Sequence, residues 1–444
     1  MRWFQIDGGD ALKGEVRVPG SKNSSLALLV AACMADGEVT LENVPEIADI
    51  ASVCEIARLL GADVTKRSRN TLTIDPSGLS SSDVPERPAS GIRMAYYFVG
   101  ALLSRFGRVS VGNPGGDDIG PRPIDQHIKG FRMLGAKVTQ SKDRYEVAVN
   151  GKLKGATIHY DTITSGATIN HMLAAVKADG RTRLLNAARD PEVVDVAVFL
   201  NKMGARVSGA GTDRITIDGV RKLTGCPHQA IPDRLMAGTL LVAGAVTEGE
   251  VTVTGVIPEH LDSCIAKLSE VGAKVTHGGD HVTVSACGRL RPIKIETGMY
   301  PLFATDLQQP FTSLLLKASG TSVINDRIYP FRFDHCQQLR KMGAKIELRD
   351  GCAVVHGCRE GLKGGWVDAG DIRSGISLIL ASFIADGVTY IRGVEHISRG
   401  YEDIVSTLNG LGARITLASD ERPPDRYLSP FIEAKVAVPL PNRA

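Results

Sequence analysis

Residues 114–127 read Pro-Gly-Gly-Asp-Asp-Ile-Gly-Pro-Arg-Pro-Ile-Asp-Gln-His. Glycine and proline let such a backbone turn sharply and approach a ligand closely. Among them stand two adjacent carboxylates, Asp117 and Asp118, then Arg122, then Asp125, Gln126 and His127. One stretch thus holds an acid, a cation able to grip a phosphate, and polar groups able to read a base. A plain surface turn has the same composition, so the case for chemistry depends on the rest of the chain.

A second set of reactive side chains stands at the predicted starts of apolar helices. These starts are Ser21-Lys22-Asn23, Gly91-Ile92-Arg93, Ser165-Gly166-Ala167-Thr168, Asp233-Arg234, Thr305-Asp306 and Asp371-Ile372-Arg373. Four of the six carry Lys or Arg at or beside the first turn. The helix dipole is positive there, so a cation gains nothing in stability. A cation together with free N–H groups makes an anion site. If the six ends share one cleft, its substrate carries several negative groups, such as phosphates and a carboxylate.

The elements that must position these residues repeat. A Gly-Ala pair follows an amphipathic segment six times, at Gly61, Gly135, Gly204, Gly272, Gly343 and Gly412. A second glycine series, Gly37, Gly107, Gly180, Gly249, Gly320 and Gly387, follows an apolar helix and precedes a strand. Both recur at roughly 70 residues, one supersecondary unit. In the first unit the apolar helix includes residues 26–32 and is expected to end with Gly37 as its cap. A strand over 38–41, an amphipathic helix over 49–60 and two short strands follow. The chain is therefore an α/β protein of six βαβαββ-like units, forming one ring or two domains of three.

Composition excludes several classes. The 444 residues are long enough for two domains, and 43% hydrophobic with 23% charged residues is ordinary for a globular protein. A net charge of +3 and 5% aromatics give neither a nucleic-acid footprint nor a base-stacking platform. Eight cysteines are scattered without a CxxC pair and read as reduced thiols, not as a disulfide frame or zinc site. Residues 1–7 are not a secretory leader, and the longest apolar run, 26–34, is too short to span a bilayer. A cytoplasmic protein with no membrane or nucleic-acid partner is expected. No dinucleotide fingerprint, P-loop, HExxH or GxSxG occurs in a convincing context. Asp190, before Pro191, reads as a helix N-cap, and Arg399 stands in a short loop before a helix.

On these motifs the chain resembles the enolpyruvyl transferases over roughly residues 2–418, taking in 14–23, 114–127, 186–195, 211–215, 232–234, 305–308 and 399–402. The resemblance is to the branch that acts on a uridine sugar nucleotide. Asn23 follows Lys22 where the shikimate branch has serine, and that branch's Gly-Asn-Ala-Gly-Thr-Ala run is absent before Arg93. The resemblance implies two inside-out α/β barrel domains of three βαβαββ units, 22–229 and 1–21 with 230–420, closing on substrate between them. It implies transfer of the enolpyruvyl group of phosphoenolpyruvate to the 3-hydroxyl of UDP-N-acetylglucosamine by addition and elimination, with no metal or organic cofactor. Asp306 matches the base. Lys22, Arg122, Arg373 and Arg399 match the groups that hold phosphoenolpyruvate. Asn23 matches a sugar contact and Arg93 a position near the substrate phosphates. Arg122, Pro123, Ile124, Asp125, Gln126 and His127, with Thr164, Ser165, Gly166, Ile328 and Tyr329, match the uridine diphosphate site.

The chain departs from the family in three places. Asp117 stands where most members have cysteine. A carboxyl can act as the acid only when protonated, so burial or neighbouring Asp118 is expected to favour the protonated form. Without a thiolate, an epoxide such as fosfomycin has nothing to alkylate. Met236 and Pro330 stand where acidic residues are common, which leaves open an acceptor other than the sugar nucleotide, such as UMP, or a non-catalytic nucleotide-binding relative. Residues 421–444, with five prolines, have no family counterpart and are expected to form a surface tail.

Overall fold

The computed structural model describes residues 1–420 apart from Pro114, Asp118, Lys142, Ala286, Cys287 and Arg359. The expectations for the 421–444 tail, for Cys287 and for the influence of Asp118 on Asp117 therefore fall outside the described residues.

Each unit opens with an apolar helix. Six of these, Lys22–Ala32, Tyr97–Phe106, Ser165–Ala175, Arg234–Val246, Gln308–Leu315 and Ile372–Ser382, start near the predicted positions. They are hydrophobic nearly all round; in Arg234–Val246 every residue after Arg234 is buried. Such a helix belongs in the centre of a domain. Accordingly, Tyr97–Phe106 packs on Ser165–Ala175, and Gln308–Leu315 on Ile372–Ser382. The second helix of each unit is two-faced. Asp334–Lys341, for example, buries only His335, Cys336 and Leu339.

The sheets lie outside these helices. In the first unit, strand Val39–Glu42 pairs antiparallel with Thr71–Asp75, which pairs with Asp63–Ser68. The fourth strand, Pro227–Gln229, comes from the end of the third unit and runs parallel to Val39–Glu42 with His228 opposite Leu41. That pairing closes a ring of three units. The N-terminus closes the other ring. Lys13–Arg17 runs parallel to Glu250–Thr254, and Arg2–Asp7 lies between Val388–Arg392 and Arg414–Ser419. Strand burial alternates, as in Thr321–Asn325, so one face of each sheet covers the helices. Two hydrophobic cores result. One runs from Leu26 to Ala230, and the other joins Phe4 to Val18 with Leu235 to Ile415.

The two glycine series do different work. All six Gly-Ala glycines have left-handed φ, between 91° at Gly135 and 107° at Gly61. The following alanine N–H reaches back five residues, as in Ala62 to Ala57 O at 3.0 Å and Ala344 to Leu339 O at 3.0 Å. This is a Schellman stop, which needs φ > 0. In the other series only Gly107 caps its helix directly. The remaining helices end before their glycine, for example at Cys33, Val176 and Leu316. Their last turn tightens into i→i−3 bonds such as Met34 N to Ala31 O at 2.9 Å. Gly343 has nothing within 4 Å of an added Cβ, so Gly343→Ala isolates the backbone cost. We expect it to destabilise the fold by about 1–2 kcal/mol, read as a lower urea midpoint with an unchanged slope.

Candidate active site

All six helix starts meet at one cavity of about 570 Å³, between the two cores. Lys22, Asn23, Arg93, Thr164, Ser165, Gly166, Arg234, Asp306 and Arg373 line it, joined by Asp117, Arg122, Pro123, Asp125, Gln126, His127, Ile328, Tyr329 and Arg399. Ile124 does not line it; its side chain packs on the first core instead. The 114–127 stretch is also not wholly a loop, because a helix, Asp125–Met133, begins at Asp125. Gly115 is obligatory in it: a Cβ there would fall 1.3 Å from Ser90 O.

The helix N–H groups are less free than the spacing suggested. Ser21, Thr164, Asp233 and Asp371 cap four of the helices with their own side chains. The anion-seeking capacity therefore rests on the cationic side chains, and most of these are already paired. Lys22 Nζ lies 2.7 Å from Asp49. Arg234 is held by Glu192 at 3.2 Å and Asp190 at 3.5 Å, across the junction of the two cores. Asp190 itself makes no side-chain cap; it accepts from Ser165 Oγ at 2.9 Å. Arg373 is paired with Asp306.

Arg93 and Arg122 differ. Arg93 donates to the Arg122 carbonyl and lies over the Tyr96 ring, 5.6 Å from its centroid. Burial, then the nearby Arg122 charge, push the Arg93 guanidinium below its ordinary value. Among the described residues neither has a carboxylate partner within ion-pair distance. Two guanidiniums that repel one another in a cavity wall form a site for a group with more than one negative charge.

His127 stands beside this pair. Asn170 Nδ2 donates to its Nδ1 at 3.0 Å while Asn170 Oδ1 accepts from Gly100 N at 2.8 Å. This leaves the ring proton on Nε2, facing Gly166, where a Cβ would come within 3.3 Å. Burial, helped by His171 and Arg93, lowers the His127 pKa to about 3. The ring is therefore a neutral donor at physiological pH.

Asp306 lies between two arginines. Arg332 Nη1 approaches its Oδ1 at 2.6 Å and Arg373 Nε its Oδ2 at 3.1 Å. Burial alone would raise the carboxyl, but Arg332 and Arg373 together hold it far below the usual carboxylate range. Arg373 is steadied by Tyr401 Oη at 2.7 Å. The position is ionised and ready to accept a proton, but weakly basic until one arginine is drawn away.

Arg399 crosses from the second core to the first. Its Nε donates to Asp49 at 2.8 Å, its Nη2 to Gly91 O at 3.1 Å, and its Nη1 to Asp117. Asp117 also accepts from Ile372 N at 3.4 Å. The guanidinium and the main-chain donor hold the Asp117 carboxyl in place in the free chain. The role of proton donor requires the Arg399 pair to open.

Met236 is buried in the second core and Pro330 is exposed, and neither lines the cavity. Sequence reading had not singled out Asp49, Arg332 or Asp326. Asp326 is fully buried and accepts from Thr297 Oγ1 at 2.7 Å, Thr305 Oγ1 at 2.6 Å, and the Ile328 and Tyr329 N–H groups at 3.0 and 2.9 Å. It ties the Ile328-Tyr329 wall to the turn carrying Asp306. Its only sequence signal was an acid two residues before a turn, which any Asx turn shows.

The seven described cysteines are free, no group of His, Cys, Asp or Glu among the described residues could hold a metal, and no described helix is long and apolar enough to cross a membrane.

Two rings of three units around a cationic cleft define an enolpyruvyl transferase fold, and the chain belongs to the EPSP synthase (3-phosphoshikimate 1-carboxyvinyltransferase) family, whose model matches residues 6–408. Within it, the chain is 48% identical over 415 residues to UDP-N-acetylglucosamine 1-carboxyvinyltransferase 2 of Bacillus anthracis, covering 94% of this chain and 96% of that one. The protein of the same name from Streptococcus thermophilus is 47% identical over 422 residues, 95% of this chain and all of that one. Among solved structures, the enolpyruvyl transferase NikO from Streptomyces tendae superposes with a TM-score of 0.85 at 26% identity, over 94% of this chain and 99% of that one. EPSP synthase from Acinetobacter baumannii, at 20% identity, TM-score 0.71 and coverage of 94% and 100%, shares the fold.

Proposed function

We propose that this chain transfers the enolpyruvyl group of phosphoenolpyruvate to the 3-hydroxyl of UDP-N-acetylglucosamine, releasing phosphate, as the first committed step of peptidoglycan synthesis in the cytoplasm. The observation that carries it is the charge layout of the cavity. Two guanidiniums, Arg93 and Arg122, which have no carboxylate partner among the described residues, share one space with the ion-paired Lys22 and Arg399 and the ionised Asp306. A nucleotide diphosphate suits the first pair and phosphoenolpyruvate the second group. The two cores are taken as domains of 22–229 and of 1–21 with 230–420, hinged where Ser21 N meets Ile231 O at 2.7 Å.

In the addition, Asp306 takes the hydroxyl proton as the oxygen bonds to C2 of the enol, and Asp117 gives a proton to C3. Elimination then breaks the bond to phosphate and removes a proton from C3, restoring the double bond. The anionic groups of phosphoenolpyruvate compete for Arg399 and so release Asp117. A carboxyl beside a phosphate is disfavoured as a second anion, which suits it to carry the proton. The departures at Met236 and Pro330 lie off the cavity wall and give no support to a different acceptor.

Phosphate release from phosphoenolpyruvate, with UDP-N-acetylglucosamine and UMP as separate acceptors, tests this reading. Release with the sugar nucleotide alone is expected. Release with UMP alone would move the acceptor, and release with neither would leave a binding protein. A second expected result concerns fosfomycin. Wild-type turnover is unaffected after preincubation, whereas Asp117→Cys becomes inactivated with a mass increase from one adduct. Covalent labelling of Asp117 in the wild type would sink that expectation.

A further inference from the structure

Arg399 is not the only side chain of its segment that crosses between the cores. Helices Val394–Ser398 and Ile404–Gly410 flank a short strap, and Glu402 in it reaches the first core at a second point. Its carboxylate is 9% exposed and accepts from Glu46 N at 3.1 Å, from Asn70 Nδ2 at 3.0 and 3.2 Å, and from Arg69 at 3.3 Å. The receiving corner is fixed. Asn70 stands at φ 60° between two paired strands, and its Nδ2 also donates to Val44 O at 2.9 Å, while Val44 N returns a bond to Asn70 O at 2.9 Å. Between the two crossing residues, Tyr401 is buried in its own half, bonded to Arg373 at 2.7 Å and Thr239 at 3.1 Å.

Glu402 does not line the cavity. Substrate entering at Arg399 therefore disturbs the Asp49 and Asp117 pairs but leaves the Glu402 contacts standing. We infer that Glu402 is a positioning residue: docked on the Glu46 N–H and Asn70, it holds the strap across the domain junction and so places Arg399 for phosphoenolpyruvate. This rests on the assignment of Arg399 to phosphoenolpyruvate.

The test combines kinetics with amide hydrogen exchange of the full chain. Glu402→Ala is expected to raise KM for phosphoenolpyruvate about tenfold or more, since a charged acceptor and several donors lose their partners. KM for the sugar nucleotide should hardly move, while the melting temperature falls modestly. Exchange of the Glu46 amide should accelerate. Asn70→Asp, which sets two carboxylates face to face, should act the same way, and adding Glu402→Gln to it should restore both readouts in part, since the bond from Asn70 to Val44 O stays lost. Equal changes in both KM values would make Glu402 merely structural. Unchanged Glu46 exchange would overturn the latch whether or not turnover is seen. A wild-type chain that turns over no phosphoenolpyruvate would instead overturn the functional reading.

Discussion

Asp306→Asn should lower kcat by about 10³-fold, within the range that a positioned base contributes. The amide is nearly the same size but cannot take the hydroxyl proton. It also fails to neutralise Arg332 and Arg373, which both pair with the native carboxylate. The freed charge on Arg373 should hold an anion more firmly, so KM for phosphoenolpyruvate is expected to fall along with kcat. That combination separates loss of a base from loss of a binding group, which would raise KM. Steady-state kinetics of the purified variant give both values. Full turnover by Asp306→Asn would remove the base from this position. The two arginines also explain why the carboxylate remains ionised well below neutrality in the free chain. Its basicity must come from the complex, when the substrate's anionic groups draw on Arg373.

The second large effect is at Asp117. Asp117→Asn retains a polar group near Arg399 but has no proton to give, so kcat should drop about 10²–10³-fold. Arg399 keeps Asp49 at 2.8 Å, and KM for phosphoenolpyruvate should change much less. Asp117→Cys should recover turnover, with a shifted pH profile. A general acid must be protonated, and a carboxyl ordinarily loses its proton at lower pH than a thiol. The alkaline limb of the wild type should therefore lie at lower pH than that of the cysteine variant. Superimposable limbs would mean that residue 117 is not the proton donor.

Much of this site was legible because it is built from local signals. The Gly-Ala pairs mark Schellman stops, the apolar helices mark the centres of the rings, and counting back from them located six helix starts that share one cavity. The loop chemistry from Asp117 to His127 was visible as residue types alone. Partners distant in sequence were not legible. Arg332 meets Asp306 from a separate turn, and Asp49, paired with Lys22, meets Arg399 across 350 positions. No spacing rule gives such contacts, because they depend on how separate turns and the two halves of the chain come together. The helix ends were misplaced for a related reason: tightened last turns stop several helices before the glycine that follows. The Arg399 partner of Asp117 was also hidden, since that guanidinium comes from the other core.

The most direct measurement is the product formed from phosphoenolpyruvate and UDP-N-acetylglucosamine in heavy water, read by proton NMR and mass spectrometry. Addition followed by elimination predicts a sugar nucleotide bearing a vinyl ether, with deuterium entering its methylene carbon. Phosphate released together with pyruvate, and an unchanged nucleotide, would contradict the account.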